Sequence, residues 1–431
     1  MRGVICIVLV AVASATMIKT FLQQSRSALA SANRRPVVLC LGNEAADADS
    51  IVSSLCYGFL KHAIQEESAT SFVPVVSIPR SILKLRPETE ILLQMADLEL
   101  DDLICVEDVD VGSLSKKQQI DGLILTDHNV LSNKISSLFA CESQHAPLVT
   151  EIVDHHIDSG AHAHVQGTSR NIAFDESTGS VTAASACTLV AEKLLDVRNS
   201  LDVDVKRALS KLLCGVILID TQNMASTGAG TDRDAAVLNT LLQSPDLLNN
   251  TWDRDAVASQ LRGAKTSAAF WSSLSAIQCL LIDYKEFPCG SSEEEEKAGI
   301  FGMSTVACRL ADFCRKDHCY RDMAGYLHDP SMGGVEGQAA LDILAVMASF
   351  IDEEKGYTRE LLVASLDEGR LDSVTAYLTD TEPTMELASL TGIEAPPGLH
   401  VRAYSQGNVK ASRKQLAPLL TRYYDSDSNV A

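Results

Sequence analysis

Val37-Val38-Leu39-Cys40-Leu41-Gly42-Asn43-Glu44-Ala45-Ala46-Asp47-Ala48-Asp49-Ser50 sets the plan for the chain. The five apolar residues read as a buried strand that ends at Gly42. Ile51, Val52, Leu55, Cys56 and Phe59 then recur at helical spacing. Asp47 and Asp49 therefore stand where a strand hands over to a helix, the usual place for ligands at the edge of an open α/β sheet. Two carboxylates this close repel each other unless a cation lies between them.

The same pattern recurs downstream. Gly122 to Thr126 is strand-like and runs into Asp127-His128-Asn129. Glu151-Ile152-Val153 leads into Asp154-His155-His156, with Asp158 and Gly160 just beyond. The apolar run Leu212 to Ile219 reads as a further strand, ending at Asp220. In a parallel sheet all such ends lie along one edge, so residues 43–220 are expected to converge on one site. Each motif alone has a plainer reading, a helix cap for Asp47 and Asp49 or a turn for Asp127 and Asp220. Four in this order make a metal site the better reading.

At 431 residues the chain is long enough for two domains, and 46% hydrophobic with 22% charged residues is an ordinary globular balance. The net charge of −21 argues against a general nucleic-acid binder, while local cations or metals still permit an anionic substrate. Of the 12 cysteines, Cys40, Cys56, Cys187 and Cys214 lie in apolar runs and read as buried thiols. Cys289, Cys308, Cys314 and Cys319 are closer together and open to disulfides or a metal, although their spacing fits no zinc pattern well. No acid precedes Glu44, and an apolar run of 16 residues spans Gly3 to Ile18. Residues 1–36 are thus expected to be a targeting segment for the secretory pathway or an organelle, dispensable for activity; the alternative is an untargeted cytoplasmic start. Asn249-Asn250-Thr251 is a lone glycosylation sequon.

From Val37 to Leu242 strand and helix alternate, with a strand at Phe72–Ile78, helices at Ser180–Leu195 and from Val205, and cap-like chemistry at Thr231-Asp232-Arg233-Asp234. Residues 243–259 read as a linker and 260–425 as a second domain, with 426–431 a tail. In that domain a helix is expected through Trp271, Leu274, Ile277 and Leu281, and a strand at Ile300–Val306. Ala339–Phe350 fits either strand or helix.

Asn43-Glu44-Ala45-Ala46-Asp47-Ala48-Asp49-Ser50, Asp127-His128-Asn129, Asp154-His155-His156 and Asp220 resemble the motifs of the DHH phosphoesterase superfamily. Asp283-Tyr284-Lys285-Glu286-Phe287, Gly302-Met303-Ser304-Thr305 and Ser412-Arg413-Lys414-Gln415 resemble elements of its DHHA2 domain. The likeness spans about residues 37–425. It implies an α/β fold: a doubly wound, mainly parallel sheet followed by a smaller α/β domain, with the active site in the cleft between them. It also implies two divalent cations (magnesium, manganese or cobalt), one on Asp47 and Asp127, the other on Asp49, Asp127, His155 and Asp220. By the same resemblance His156 contacts the phosphoryl group and Asp154 orients a histidine. His128 is a supporting candidate, and Lys285, Arg413 and Lys414 bind phosphate.

Family II inorganic pyrophosphatases begin the first motif with Gly-His, whereas Gly42-Asn43-Glu44 is similar to eukaryotic exopolyphosphatases and prune proteins. Asn43 would then be at most a weak carbonyl ligand. The implied activity is release of terminal phosphate from polyphosphate. The alternatives are a pyrophosphatase, a prune-like cyclic-nucleotide phosphodiesterase and, last, a non-enzymatic interaction module. Polyphosphate or pyrophosphate is the expected partner. Neither nucleic acid nor stable membrane insertion after processing is expected, and the chain is expected to be a monomer or weak homodimer.

Overall fold

The computed structural model describes residues 17–30, 36–65, 70–117, 119–131, 135–136, 139, 148–226, 228–249, 251–289, 299–329 and 340–427. Most of the expected leader, the acidic tract at 291–296 and the C-terminal tail from residue 428 lie outside them. The chain divides into two compact units, Met1–Lys265 and Thr266–Ala431. No helix among the described residues is long and apolar enough to cross a membrane.

In the first unit, five parallel strands form a sheet in the order β2-β1-β3-β4-β5: β1 Val37–Leu41, β2 Ser71–Val75, β3 Ile120–Thr126, β4 Val149–Asp154 and β5 Arg170–Ile172. All five residues of β1 are buried, which explains their unbroken apolar run. Val37, Leu39 and Leu41 share one core with Val73, Val75, Leu123 and Leu125. Cys40 of β1 meets helix α2 (Ala48–Ala63) at Gly58, where a Cβ would lie 3.3 Å from the Cys40 sulfur.

Residues 17–30 form a helix, α1, that belongs to this unit. Ile18, Phe21, Leu22, Ser25 and Leu29 are buried at helical spacing. Phe21 packs edge-on against Phe59 at 5.4 Å, Ser25 Oγ donates to the Phe72 carbonyl, and Arg26 reaches the carbonyls of Asp101 and Leu103. The expectation that the segment to residue 36 is wholly a detachable leader therefore needs correction. Its later half is built into the domain by an apolar stripe that composition alone conceals.

A second correction concerns Asp220. The run before it is not a strand but the end of an 18-residue helix, Val203–Asp220. Helices α3 (Pro87–Met95), α4 (Ala186–Val197), α5 (Val203–Asp220), α6 (Asp232–Gln243) and α7 (Arg254–Lys265) complete the elements of the unit used below. Gly215 lets α5 approach its neighbours: a Cβ there would lie 2.2 Å from Leu92 of α3 and 3.4 Å from Leu261 of α7. Ala258 and Leu261 of α7 are buried, so the compact units divide at Lys265 and not within 243–259.

The second unit begins with two short helices, α8 (Ala268–Ser273) and α9 (Ala276–Ile282), where one was expected. Ser275 breaks them apart by capping α9 with Gln278 in a capping box. A six-stranded sheet follows in the order β10-β11-β9-β8-β7-β6, with β6 Tyr284–Cys289, β7 Gly299–Val306, β8 Ile343–Asp352, β9 Gly356–Ser365, β10 Leu387–Ser389 and β11 His400–Gln406. Only the β7–β8 pairing is parallel. The ambiguous run before Phe350 is thus a strand, hydrogen-bonded on both sides. Helices α10 (Leu310–Cys314), α11 (Cys319–His328), α12 (Glu368–Ala376) and α13 (Arg413–Asp427) accompany the sheet. Phe301, Met303, Ile343, Leu361 and Val363 of the sheet pack with Leu371, Val374, Leu416 and Leu420.

Candidate metal centre

The loop after β1 is built to be tight. A side chain at Gly42 would lie 2.7 Å from the Ser50 carbonyl, so only glycine lets the strand end rest on the first turn of α2. Asp47 caps that helix by accepting from the Ser50 amide at 3.1 Å. Asn43 is buried, and both ends of its amide are engaged. Oδ1 accepts from the amides of Ala45 (2.9 Å) and Ala46 (3.2 Å), while Nδ2 donates to Asp127 Oδ2 at 2.7 Å. Arg86, with 1% exposure, clamps the same loop by donating to the carbonyls of Ala46 (3.1 Å) and Ala45 (2.7 Å).

Asp127 follows β3 with φ +62°, a left-handed conformation that costs a non-glycine residue roughly 1–3 kcal/mol. Its amide donates to the Val153 carbonyl of the neighbouring strand at 2.9 Å, which fixes the turn. Ser50 Oγ donates to its Oδ2 at 2.6 Å, beside Asn43. On the other oxygen, His155 Nε2 lies at 3.2 Å and His156 Nδ1 at 3.6 Å. Donor atoms of Asp127, His155 and His156 lie within 4.8 Å of one another, the span of a shared cation.

Asp49, in the first turn of α2, faces the N-terminus of α4. It accepts from Ser185 Oγ at 2.8 Å and from the amides of Ala186 (2.7 Å) and Cys187 (2.9 Å). His155 Nε2 stands 3.6 Å away. Burial first, then the charge of Asp127, pushes the Asp49 carboxyl up to about 6, with His155 opposing. Asp220, at the last position of α5, is likewise raised well above the carboxylate range by burial and by Asp49 and Asp47. Its Oδ2 is buried without a hydrogen-bond partner. A buried carboxylate oxygen with no hydrogen-bond partner, set among like charges, suits a cation, so the residues fit a divalent metal.

Asp154, at the end of β4, plays a different part. It accepts from Asn129 Nδ2 (2.6 Å), the His155 amide (2.8 Å) and His156 Nδ1 (2.9 Å). Burial opposes its ionisation, but His156, His155 and the Asn129 amide outweigh burial and hold it well below the usual range. His155 Nδ1 faces the Ala183 carbonyl at 3.3 Å, leaving Nε2 toward Asp49 and Asp127. His128 Nδ1 lies 2.9 Å from the Thr126 carbonyl, and His128 is not in the Asp127 cluster.

Lys285, Arg413 and Lys414 belong to the second unit. Arg413, in the first turn of α13, donates through Nη2 to Asp283 Oδ1 at 2.7 Å and through Nη1 to the Asp283 carbonyl at 3.0 Å. Lys285 stands two residues beyond Asp283 on β6, and Lys414 is exposed.

Several contributors escaped the motif reading. Ser185 holds Asp49, yet nothing in its local sequence announces it, and Asn129, although it stands in the Asp127-His128-Asn129 motif, had no part assigned there and holds Asp154. Asp234 stands in a stretch readable as a helix start, and its side chain completes a capping box with the N-cap Thr231. It also accepts from the Ala184 amide at 3.0 Å and Thr188 Oγ1 at 2.6 Å, which ties down the start of α4 that holds Asp49.

Comparison with known proteins agrees with this layout. Residues 37–218 match the DHH family, N-terminal domain, and residues 260–423 match the DHHA2 domain. Exopolyphosphatase PRUNE1 of Rattus norvegicus is 29% identical over 418 residues, 94% of this chain and 80% of that protein. The Bos taurus protein of the same name is 29% identical over 421 residues, 95% of this chain and 80% of that one. The Homo sapiens protein is 28% identical over 418 residues, with coverage of 94% and 80%. Matched in both halves, with the motif carboxylates and imidazoles at the strand ends and at the end of α5, the chain carries a DHH family N-terminal domain followed by a DHHA2 domain.

Proposed function

We propose that this protein is a divalent-metal-dependent exopolyphosphatase that hydrolyses the terminal phosphoanhydride bond of inorganic polyphosphate. The observation that carries the reading is the grouping of Asp127, His155 and His156, with Asp49 3.6 Å from His155 and a buried Asp220 oxygen that has no hydrogen-bond partner. The similarity to proteins named exopolyphosphatase supports the substrate class.

In this reading Asp47 and Asp127 hold one cation, and Asp49, Asp127, His155 and Asp220 hold the other. When bound, such cations supply Lewis acidity, activating water near neutral pH and offsetting charge on the attacked phosphorus. Oxygen and imidazole donors without thiolate suit magnesium, manganese or cobalt. Asn43 and Ser50 hold Asp127 in place. His156, pinned through Nδ1 by Asp154, is half-buried and positions a phosphoryl oxygen. Lys285, Arg413 and Lys414 bind the phosphate chain, with the guanidinium of Arg413 suited to a two-point grip on non-bridging oxygens.

The test is phosphate release in magnesium, manganese or cobalt from pyrophosphate, tripolyphosphate and long polyphosphate, with cyclic AMP hydrolysis measured beside it. Release from tripolyphosphate and longer chains is expected to exceed turnover of pyrophosphate and cyclic AMP. Fast turnover of pyrophosphate alone would make the protein a pyrophosphatase and sink the reading.

A further inference from the structure

Among the described residues the candidate metal centre draws on no cysteine thiol as a ligand, yet one pair of cysteines is arranged for chemistry. Cys314 ends α10 and Cys319 opens α11. The corner between them is folded back on itself: the Lys316 amide donates to the Phe313 carbonyl at 3.1 Å, and the Cys319 amide to the Lys316 carbonyl at 3.1 Å. His318 completes the bend with φ +61°. This turn brings the two side chains into a hydrogen bond, and Tyr320 bonds Cys314 as well. Cys314 is partly exposed, while Cys319 is 2% exposed. One thiol is thus reachable from solvent and the other waits behind it.

We propose that Cys314 and Cys319 form a reversible disulfide, with Cys314 the attacking sulfur and Cys319 the resolving one, driven by a low-molecular-weight disulfide such as oxidised glutathione. The Cys314 thiolate attacks one sulfur of the oxidant and breaks its S–S bond. A mixed disulfide forms on Cys314 and one thiolate leaves. The Cys319 sulfur then attacks the Cys314 sulfur, breaking the mixed disulfide and releasing the second thiolate. Two protein thiols are oxidised and the oxidant is reduced to two thiols, which take up the two protons.

The other thiols among the described residues explain the selectivity. Hydrogen bonding from Cys319 holds the Cys314 thiol below its ordinary range, although burial opposes this. Burial pushes Cys308 up to about 12 and Cys279 to about 11. Cys40, Cys56, Cys187 and Cys214 are buried and raised as well. Since the thiolate is the nucleophile, reaction among the described thiols begins at Cys314.

The chain itself supplies the assay. Trypsin cleaves after Arg309, Arg315, Lys316 and Arg321, so Leu310–Arg315 and Asp317–Arg321 are separate peptides unless a disulfide joins them. The reduced full-length protein is treated with oxidised glutathione, its remaining thiols are alkylated, and a non-reducing digest is read by mass spectrometry. The joined pair should accumulate and vanish after dithiothreitol. Cys319→Ser should stop at a single glutathione adduct on Cys314, and Cys314→Ser should give neither product. Recovery of both peptides alkylated and unlinked from oxidised wild type, or Cys314 joined to Cys308, would overturn the proposal. The wild-type digest decides this whether or not the variants fold.

Discussion

Replacing Asn43 by alanine tests the centre at its most committed polar side chain. The amide bridges two things: the turn of Ala45 and Ala46, and the carboxylate of Asp127. Alanine removes a hydrogen bond to a charged group, worth about 1.5–3 kcal/mol, and strips an acceptor from two backbone amides in a buried loop, at about 1–3 kcal/mol. The combined loss is about 2.5–6 kcal/mol. At about 2–4 °C per kcal/mol for a domain of this size, the melting temperature of the first unit should fall by roughly 5–24 °C. Asn43→Asp separates the two contributions. It keeps an acceptor for the turn but sets a carboxylate against Asp127, so it should be destabilised without metal and gain more than wild type when manganese is added. The assay is thermal unfolding of wild type and both variants, in chelator and across a manganese titration. If Asn43→Ala melts within about 2 °C of wild type and its metal titration is unchanged, the amide does not hold Asp127.

Metal should stabilise the protein more as pH rises. Burial and like charge raise Asp49 from 3.8 to about 6, and Asp220 is raised as well. A raised carboxyl contributes stability that is complete below its unfolded value and is lost as pH climbs through the folded one, here between about 4 and 6. The metal-free protein should therefore weaken across that window, and the melting increment from magnesium or manganese should grow from about pH 5 to about pH 7; a flat increment would contradict the assignment. Deleting residues 1–16 should leave the melting temperature unchanged, whereas deleting 1–35 removes the burial of Ile18, Phe21, Leu22 and Leu29, about 1.5–3 kcal/mol each, and should lower it sharply. A fluorescent fusion of residues 1–43 tests targeting separately, and a diffuse cytosolic signal would end that reading. Arg413→Ala with Lys414→Ala should raise KM for polyphosphate roughly tenfold and flatten its salt dependence; an unchanged KM places the phosphate site elsewhere.

What could be read in the sequence depended on how each element is buried. Strand β1 is covered on both faces, so it shows as a bare apolar run, and Asp47 and Asp49 stand out against it. The same holds for the buried end of β3 before Asp127, whereas β4 exposes Thr150 and leaves only Ile152 and Val153 as an apolar step before Asp154. Helix α5 defeats that signal because it too is covered nearly all round, with Leu212 to Leu218 buried without interruption. Val216, Ile217 and Ile219 favour strand by type, and an all-buried helix loses the polar stripe that marks its period. The clue lay further back, where Val205, Ala208, Leu209 and Leu212 keep helical spacing into the run. Helix α1 was missed for the opposite reason. Its stripe was legible at Ile18, Phe21, Leu22, Ser25 and Leu29, but the absence of acids drew the reading toward a leader.

The polar network around the carboxylates was illegible because it joins residues far apart in sequence, and its arrangement separates two kinds of acid. Asp154 is surrounded by donors and held ionised, so its task is complete within the protein: it fixes His156 and the turn that bears His155. Asp49 and Asp220 are buried against like charge and pushed toward protonation. Asp127 adds a left-handed backbone to the same cluster. Folding alone would not favour these three features together, since each raises the energy of the metal-free state. Positive charge would relieve Asp49 and Asp220 and give the Asp220 oxygen a partner, in keeping with the cation site proposed above. The contrast with Asp154 argues that the strain belongs to the ligand set and not to burial of carboxylates in general.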